Sequence, residues 1–394
     1  MANPYGLNFR HLRLLSMIDS YGSVSIAARN AGISQPALTQ ALMKLEASFG
    51  ASFFHRTPAG VTLTAIGTRV LRRVDRAMET LGKAIRATKG AQGARDSERL
   101  LTSAQVRGLL SLAEAGSFVG AAKTADVSVP ALHRAVRDLE QLCGVSLVRR
   151  SGRGVSLTDA GTRLSRGFAL AMSELSTALD ECGGGGQRLA IGAMALSRSS
   201  LLPATLAELL RQVPEATIDV VDGSYLELVD FLRSGRIDTL IGALRDHPAR
   251  DLHQEPLFTN RLTIIGRADH PLAKGTASFE DLAAYPWIVA RRASGLLEKW
   301  QEMFDQAGKP RPTAPIQCGS VELIRGMLMR SDFLTMLSTD QVATEIEAGA
   351  LRRIDSIVPD TMRRIGIITR RDWHPTPLQD LFISTLKTVA EADG

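Results

Sequence analysis

Between Ser34 and Glu46 the chain carries Gln35, Thr39, Gln40 and Lys44, a set of hydrogen-bonding groups and one cation with no carboxylate before Glu46. A carboxamide can pair through two hydrogen bonds with the edge of adenine, a hydroxyl can meet a base or a phosphate, and an ammonium neutralises a phosphate. Gln35 and Gln40 are therefore candidate base readers, and Thr39 and Lys44 candidate contacts to bases or phosphates. Ser34, Pro36 and Ala37, at the leading end of the stretch, would approach the same surface. Ser34 and Pro36 are equally suited to starting a helix, one as a cap and the other in a first turn that needs no N–H. Arg56, between two short apolar runs, would hold phosphate and so position the protein rather than specify a sequence.

Leu38, Leu42 and Leu45 recur at helical spacing and predict a core-facing stripe on the helix that presents these groups. Upstream, Gly22 to Ala28 leads into a shorter helix and Asn30-Ala31-Gly32 supplies a tight turn. A helix, a turn containing glycine and then a polar helix is the helix-turn-helix pattern, whose second helix enters the major groove of DNA. Asn8 to Tyr21 reads as a preceding helix, with Phe9, Leu12, Leu15, Met17 and Ile18 apolar. Ser52 to Arg56 and Gly60 to Thr64 read as two strands joined by Thr57-Pro58-Ala59-Gly60, a wing. From Gly67 to Lys89, Val70, Val74, Met78, Leu81 and Ile85 mark a long amphipathic helix that must pack on its own domain or on a partner subunit.

The chain then repeats itself at an offset of 94 residues without a gap. Gly22-Ser23 returns as Gly116-Ser117, Ala27-Ala28 as Ala121-Ala122, and Ser34-Gln35-Pro36-Ala37-Leu38 as Ser128-Val129-Pro130-Ala131-Leu132. Leu45-Glu46 returns as Leu139-Glu140, Gly60 to Thr64 as Gly154 to Thr158, and Gly67 as Gly161, which opens a second long helix to Glu181. Such self-similarity marks a duplicated unit. The second copy differs where the first carries its chemistry: Val129 replaces the glutamine and Asp138 stands where Lys44 stood. It keeps His133 and Arg149, with Arg134, Arg137, Arg150 and Arg153 as candidate DNA contacts, and so is expected to grip the backbone or support pairing rather than read bases.

The net charge of +6 is unevenly spread. Residues 1–90 hold 12 basic against 4 acidic side chains, and residues 91–186 hold 11 against 10. The cationic excess thus lies on the first copy, where phosphate would bind. No apolar run is long enough for a membrane span, and Met1 to Arg13 has no apolar signal segment. The three scattered cysteines, Cys143, Cys182 and Cys318, fit a reducing cytoplasm and show no metal spacing, so no metal or cofactor is expected. For catalysis, no phosphate-binding loop, no Gly-x-Ser-x-Gly elbow and no Cys-x-x-Cys occurs, and no enzyme activity is expected. The Gly183–Gly186 run lacks a following lysine and reads as a hinge.

Beyond the hinge the texture changes to strands alternating with helices, which predicts βαβ units and a parallel sheet: Arg188 to Gly192, Thr217 to Val221, Ile237 to Gly242 and Arg261 to Gly266 are early strands. About 200 residues exceed one small layer, so two lobes are expected. Ligands of open α/β sheets sit beyond strand C-terminal ends, near helix N-termini. Candidate ligand contacts are Ser197, Arg198 and Ser199 after the first strand, Ser224 after the second and Ala243 after the third, with Ser294 and Ser320 from the other lobe. Each serine has an equal reading as a helix cap, and Arg198 would suit a carboxylate-bearing ligand or, equally, stand as an ordinary surface arginine.

The N-terminal unit resembles the LysR-type transcriptional regulators through Ala27-Ala28, Ser34 to Thr39, Leu45-Glu46, Gly50, Phe53 to Arg56 and Val61 to Gly67. The C-terminal part resembles that family's effector domain through Leu201-Leu202-Pro203, Leu232 to Asp238, Asp269 to Leu272 and Tyr285-Pro286-Trp287, and is similar to a type 2 periplasmic binding protein. Ile365 to Arg370 with Trp373 to Thr376 resembles the subgroup of sugar and aromatic-acid gene regulators. The second winged unit departs from the usual layout of one. The resemblance implies a linker helix pairing antiparallel subunits, a homodimer or homotetramer on promoter DNA, and a small-molecule effector, an organic acid or a sugar, between two lobes; either long helix could be the pairing helix. The expected fold is multidomain: winged helix-turn-helix domains at 1–66 and 98–160, linker helices at 67–97 and 161–187, and a two-lobed α/β effector domain at 188–394. Its lobes are expected at about 188–265 with 366–394 and about 266–365. The alternatives are a solute-binding protein and an α/β enzyme fused to a DNA-binding module. The missing signal segment and the basic N-terminus disfavour the first, and the lack of spaced catalytic groups disfavours the second.

Overall fold

A computed structural model describes residues 3–57, 60–89, 98–152, 154–183, 188–194, 201–291, 295–358 and 361–393. The chain divides into two compact units, Met1–Gln187 with Arg233–Arg236, and Arg188–Leu232 with Ile237–Gly394.

The first unit contains the same motif twice. In copy one, α1 (Phe9–Tyr21), α2 (Val24–Asn30) and α3 (Gln35–Phe49) are followed by the hairpin β1 (Phe54–Thr57) and β2 (Gly60–Leu63), then by α4 (Ala65–Lys89). In copy two, α5 (Ser103–Ala115), α6 (Phe118–Thr124) and α7 (Val129–Cys143) are followed by β3 (Val148–Ser151) and β4 (Gly154–Leu157), then by α8 (Asp159–Cys182). Local chemistry explains the boundaries. Asn8, Ser23 and Ser34 cap their helices through side-chain oxygens, and so do Ser117 and Ser128. Gly50 and Gly144 end α3 and α7 in the left-handed conformation, at φ 67° and 69°, which side chains with a Cβ resist.

The residues that recur at the 94-residue offset do the same work in both copies. The Glu46 carboxylate accepts the Phe53 N–H at 2.7 Å, and the Glu140 carboxylate accepts the Leu147 N–H at 2.8 Å. Val61 donates its N–H to Gly22 at 3.0 Å, and Val155 donates to Gly116 at 2.9 Å, tying each wing to the turn after the first helix. A Cβ on Gly67 or Gly161 would lie 2.1 Å from the carbonyl oxygen of Phe53 or Leu147, so glycine is required at both.

The long helices solve their packing problem on each other. Val70, Val74, Ala77, Leu81 and Ile85 of α4 are buried in one core with Leu164, Phe168, Ala171, Leu175 and Ala178 of α8. The pairing is antiparallel: Arg73, early in α4, reaches Glu174 and Glu181 late in α8, whereas Ala84, late in α4, meets Gly167 early in α8.

The second unit opens with β5 (Arg188–Ala193), α9 (Leu201–Gln212), β6 (Thr217–Asp222), α10 (Tyr225–Arg233) and β7 (Thr239–Ala243). Next come the 16-residue β8 (Leu252–Arg267), α11 (Phe279–Ala283), β9 (Trp287–Val289), α12 (Gly295–Gln306), β10 (Ile316–Gln317), α13 (Val321–Leu328) and β11 (Leu334–Ser338). The chain closes with α14 (Ala343–Glu347), β12 (Leu351–Arg353), β13 (Thr361–Arg370) and α15 (Pro377–Asp393). The sheet order is β10-β9-β11-β8-β13-β7-β5-β6, with β12 beside β8. β5 pairs parallel with β6 and β7, and β9 with β10 and β11. β8 and β13 run antiparallel to each other and to their neighbours β11 and β7, so the sheet is mixed rather than parallel as expected. Two long strands paired in opposite directions need no crossover helix between them.

These strands join two lobes. Leu252 to Pro256 pair with Arg370 to Gly366, which lie beside or near β7, and the register shifts between Ile365 and Gly366. Beyond that shift Leu262 and Ile264 pack with Trp287, Trp300, Phe304 and Leu334, whereas Ile367 packs with Leu189, Ile241 and Phe382. Residues 262–265 thus belong to the second lobe, and the crossing falls earlier in β8 than the expected boundary at 265/266. The strand is continuous there, so its polarity pattern carries no mark of the change. Among the described residues no helix is long and apolar enough to cross a membrane.

Candidate nucleic-acid interface and small-molecule cleft

Helix α3 buries Leu38, Leu42 and Leu45 and leaves Gln35, Pro36, Ala37, Gln40 and Lys44 exposed, with Thr39 half-buried. Ser34 is exposed at its start, and its hydroxyl oxygen accepts the Ala37 N–H at 3.3 Å. The sequence-predicted set therefore shares one accessible helix. The Ser25 hydroxyl, on α2, donates to Gln35 Oε1 at 2.9 Å. That bond restrains the amide and leaves its NH2 group for another acceptor. Ser25 was not anticipated; its sole mark in the sequence is a small hydroxyl ten residues before the glutamine. Nearby, burial, with the charges of Lys44 and Arg10 adding to it, holds the His11 imidazole below its ordinary pKa. Arg56 lies on β1 opposite Val61.

Helix α7 repeats the frame with other chemistry. Arg134, Arg137 and Asp138 are exposed on it, and Arg150 is exposed on β3. Arg153 lies outside the described residues. The His133 ring stacks on Phe118 at 3.6 Å between centroids and 17° between planes. Where copy one has the Ser25–Gln35 hydrogen bond, copy two has Val119, 72% exposed, and half-buried Val129.

In the second unit, Ser197, Arg198, Ser199 and Ser294 lie outside the described residues. Ser224 exchanges hydrogen bonds with Glu227, its N–H at 2.9 Å and hydroxyl at 2.7 Å from the carboxylate. Ser320 caps α13, accepting the Leu323 N–H at 3.2 Å and donating to Glu322 at 2.8 Å. Both hydroxyls are thus engaged in capping. Ala243 ends β7 opposite Ile365. Two arginines not anticipated stand close by. Arg245, two residues past β7, lies 4.6 Å over the Tyr225 ring and extends to α12 of the other lobe, where a Cβ on Gly295 would be 2.6 Å from its Nη1. Arg291 follows β9; after the Ser224 hydroxyl and amide, its charge helps hold the Glu227 carboxyl below the ordinary range. The signal for both was positional: each follows a strand C-terminus.

Residues 183–391 match the LysR substrate binding domain, and residues 9–68 and 103–162 each match the bacterial regulatory helix-turn-helix protein, lysR family. The HTH-type transcriptional regulator GalR of Pseudomonas putida is 28% identical over 387 residues, 97% of each chain. PcaQ of Agrobacterium fabrum, also an HTH-type transcriptional regulator, is 26% identical over 280 residues, 70% of this chain and 90% of its own. Among solved structures, ArgP of Mycobacterium tuberculosis superposes with a TM-score of 0.57 at 21% identity, over 73% of this chain and 96% of that one. Full-length OxyR of Pseudomonas aeruginosa does so with a TM-score of 0.56 at 23% identity, over 74% and 95%.

Proposed function

The chain belongs to the LysR family of DNA-binding transcriptional regulators, with an effector-binding domain after its winged modules, and on that premise we propose which residues perform each task. Copy one reads bases: Gln35 and Gln40 meet base edges, with Ser34, Pro36, Ala37 and Thr39 along the same edge of α3, while Lys44 and Arg56 hold phosphates. The observation that carries this is the exposed Gln35 amide braced by Ser25 at the start of α3. Copy two contributes phosphate grip through Arg134, Arg137, Arg150 and Arg153. In a band-shift titration, Gln35→Ala relaxes preference at one half-site position. Equal weakening on specific and random duplexes would refute that role.

The effector is an organic acid rather than a sugar. Arg245 and Arg291 support this reading, because they bring two guanidiniums towards the strand ends where ligands of open sheets sit. Ser224, Ala243 and Ser320, with Ser197, Arg198, Ser199 and Ser294, complete the proposed site. Binding shifts the balance of lobe closure and, through it, the affinity for promoter DNA. The protein acts by binding rather than catalysis, as a homodimer or homotetramer in the cytoplasm. Calorimetric titration with a panel of carboxylates and sugars tests the ligand class. Arg245→Ala is expected to weaken a binding carboxylate at least tenfold, and a neutral sugar that binds the variant as well as the parent would overturn the assignment.

A further inference from the structure

The interactions between the two copies repeat with the copies exchanged. Arg73 of α4 lies against Glu174 and Glu181 of α8; Gly167, its counterpart 94 residues on, lies against Ala84 and the Thr80 carbonyl. Thr80 and Ala84 are the counterparts of Glu174 and Ala178. Near the other ends of the copies, Arg13 of copy one donates to the Arg99 carbonyl at 3.2 Å, while its counterpart Arg107 lies 5.9 Å over the ring of Tyr5, the counterpart of Arg99. Interactions that recur with partners exchanged are the mark of an isologous pair, the form usually built from two identical subunits. Here one chain supplies both halves.

The pair is not symmetric in chemistry. Arg73 is buried, and its counterpart is glycine; Glu174 and Glu181 have threonine and alanine as counterparts. If α4 packed on a second α4, each buried Arg73 would face Thr80 and Ala87 with no carboxylate. If α8 packed on a second α8, the glutamates would face Gly167. A buried charge left without its partner is strongly unfavourable, so the ion pair selects α4 against α8.

We propose that one chain is a built-in asymmetric DNA reader, in which copy one reads adenine through Gln35 while copy two receives a thymine methyl on Val119 and Val129, so that the pair of half-sites under one chain is not an inverted repeat. The inference rests on the reading of DNA by Gln35. Operator symmetry mirrors protein symmetry in helix-turn-helix pairs. Here the scaffold is near-symmetric and the reading surfaces differ. The position that carries a hydrogen-bonded Ser25–Gln35 pair in copy one carries two valines in copy two, one of them strongly exposed, and apolar side chains discriminate thymine by its methyl group.

Selection of bound sites from a random duplex pool with the full chain tests this. Two unequal half-sites about one helical turn apart are expected, with preferences of roughly 5- to 100-fold at the positions read. The double substitution Val119→Ser with Val129→Gln, at one exposed and one half-buried position, gives copy two the hydroxyl–amide pair of copy one. It is expected to change the preference at that one position of the second half-site from thymine to adenine, with far-UV circular dichroism unchanged. A half-site under copy two identical to that under copy one in the parent, or one that the double substitution leaves untouched, would overturn the inference alone. Loss of all sequence preference in the parent would instead overturn the Gln35 reading beneath it.

Discussion

Arg73→Ala offers a direct measure of what holds the two copies together. The guanidinium is 6% exposed and meets Glu174 at 3.1 Å and Glu181 at 2.8 Å, with both carboxylates largely buried. Burial alone would lower its pKa, but the bonds to Glu181 and Glu174 outweigh that and hold it above the usual arginine value, so the attraction exceeds the desolvation. Removing one partner of a buried pair costs about 3–5 kcal/mol, because the other charge is left uncompensated. Arg76 still reaches Glu174 at 3.3 Å, which leaves Glu181 as the orphan and puts the expected cost near the lower end, about 3 kcal/mol. With a urea slope of about 2 kcal/mol/M, the transition should move down by about 1.5 M. Two units preclude a single two-state reading, but the tryptophans divide them: Trp287, Trp300 and Trp373 all lie in the second unit. Far-UV circular dichroism should therefore show the shift while tryptophan fluorescence does not. Replacing the whole cluster, Arg73→Met and Arg76→Met with Glu174→Leu and Glu181→Leu, should return stability to within about 1 kcal/mol of the parent, since buried ion pairs exchanged for apolar groups are often neutral. A shift below about 0.5 M for Arg73→Ala, or an equal shift in fluorescence, would refute the reasoning.

Gly67→Ala and Gly161→Ala should each destabilise the first unit by about 1–3 kcal/mol in the same dichroism assay, because each Cβ meets a carbonyl oxygen that can move only with the wing; a change below 0.5 kcal/mol (about the size of an ordinary surface substitution) would contradict the close approach. His270 is buried, and its Nδ1 accepts the Leu272 N–H at 3.0 Å, so the fold favours the neutral ring and burial lowers its pKa. The unfolded chain then binds the extra proton, so this contribution is intact above about pH 6.5 and is lost as the pH falls below it. His270→Asn should flatten the fall in melting temperature of the second unit between about pH 6.5 and 5, and an unchanged slope would rule out the assignment. Arg134→Ala with Arg137→Ala should reduce the slope of log K against log salt by about 0.9 for each phosphate no longer neutralised, and an unaltered slope would remove copy two from the DNA backbone.

The parts of the molecule legible in the sequence were those set by neighbours along the chain. Cap residues such as Ser34 and Ser128, the apolar stripe of Leu38, Leu42 and Leu45, and the glycines after α3 and α7 act over one or two turns, so their spacing alone marks each helix-turn-helix. The gapless repeat carried the duplication for the same reason, and the exposed polar face of α3 followed from its period. What the helix from Ser34 faces was another matter. Its Ser25 brace, the capping role of Ser224 and Ser320, and the placement of Arg245 and Arg291 depend on which elements come together. The antiparallel strands β8 and β13, which make the sheet mixed, left no period that distinguishes them from parallel ones. Least legible of all was the pairing of α4 with α8. Arg73 reads as one more cation on a basic helix until it meets carboxylates 101 and 108 residues away. The sequence by itself determined two winged helix-turn-helix modules of unequal surface chemistry. Only the tertiary structure decided that they pair with each other, because a buried charge finds its partner by packing and not by position along the chain.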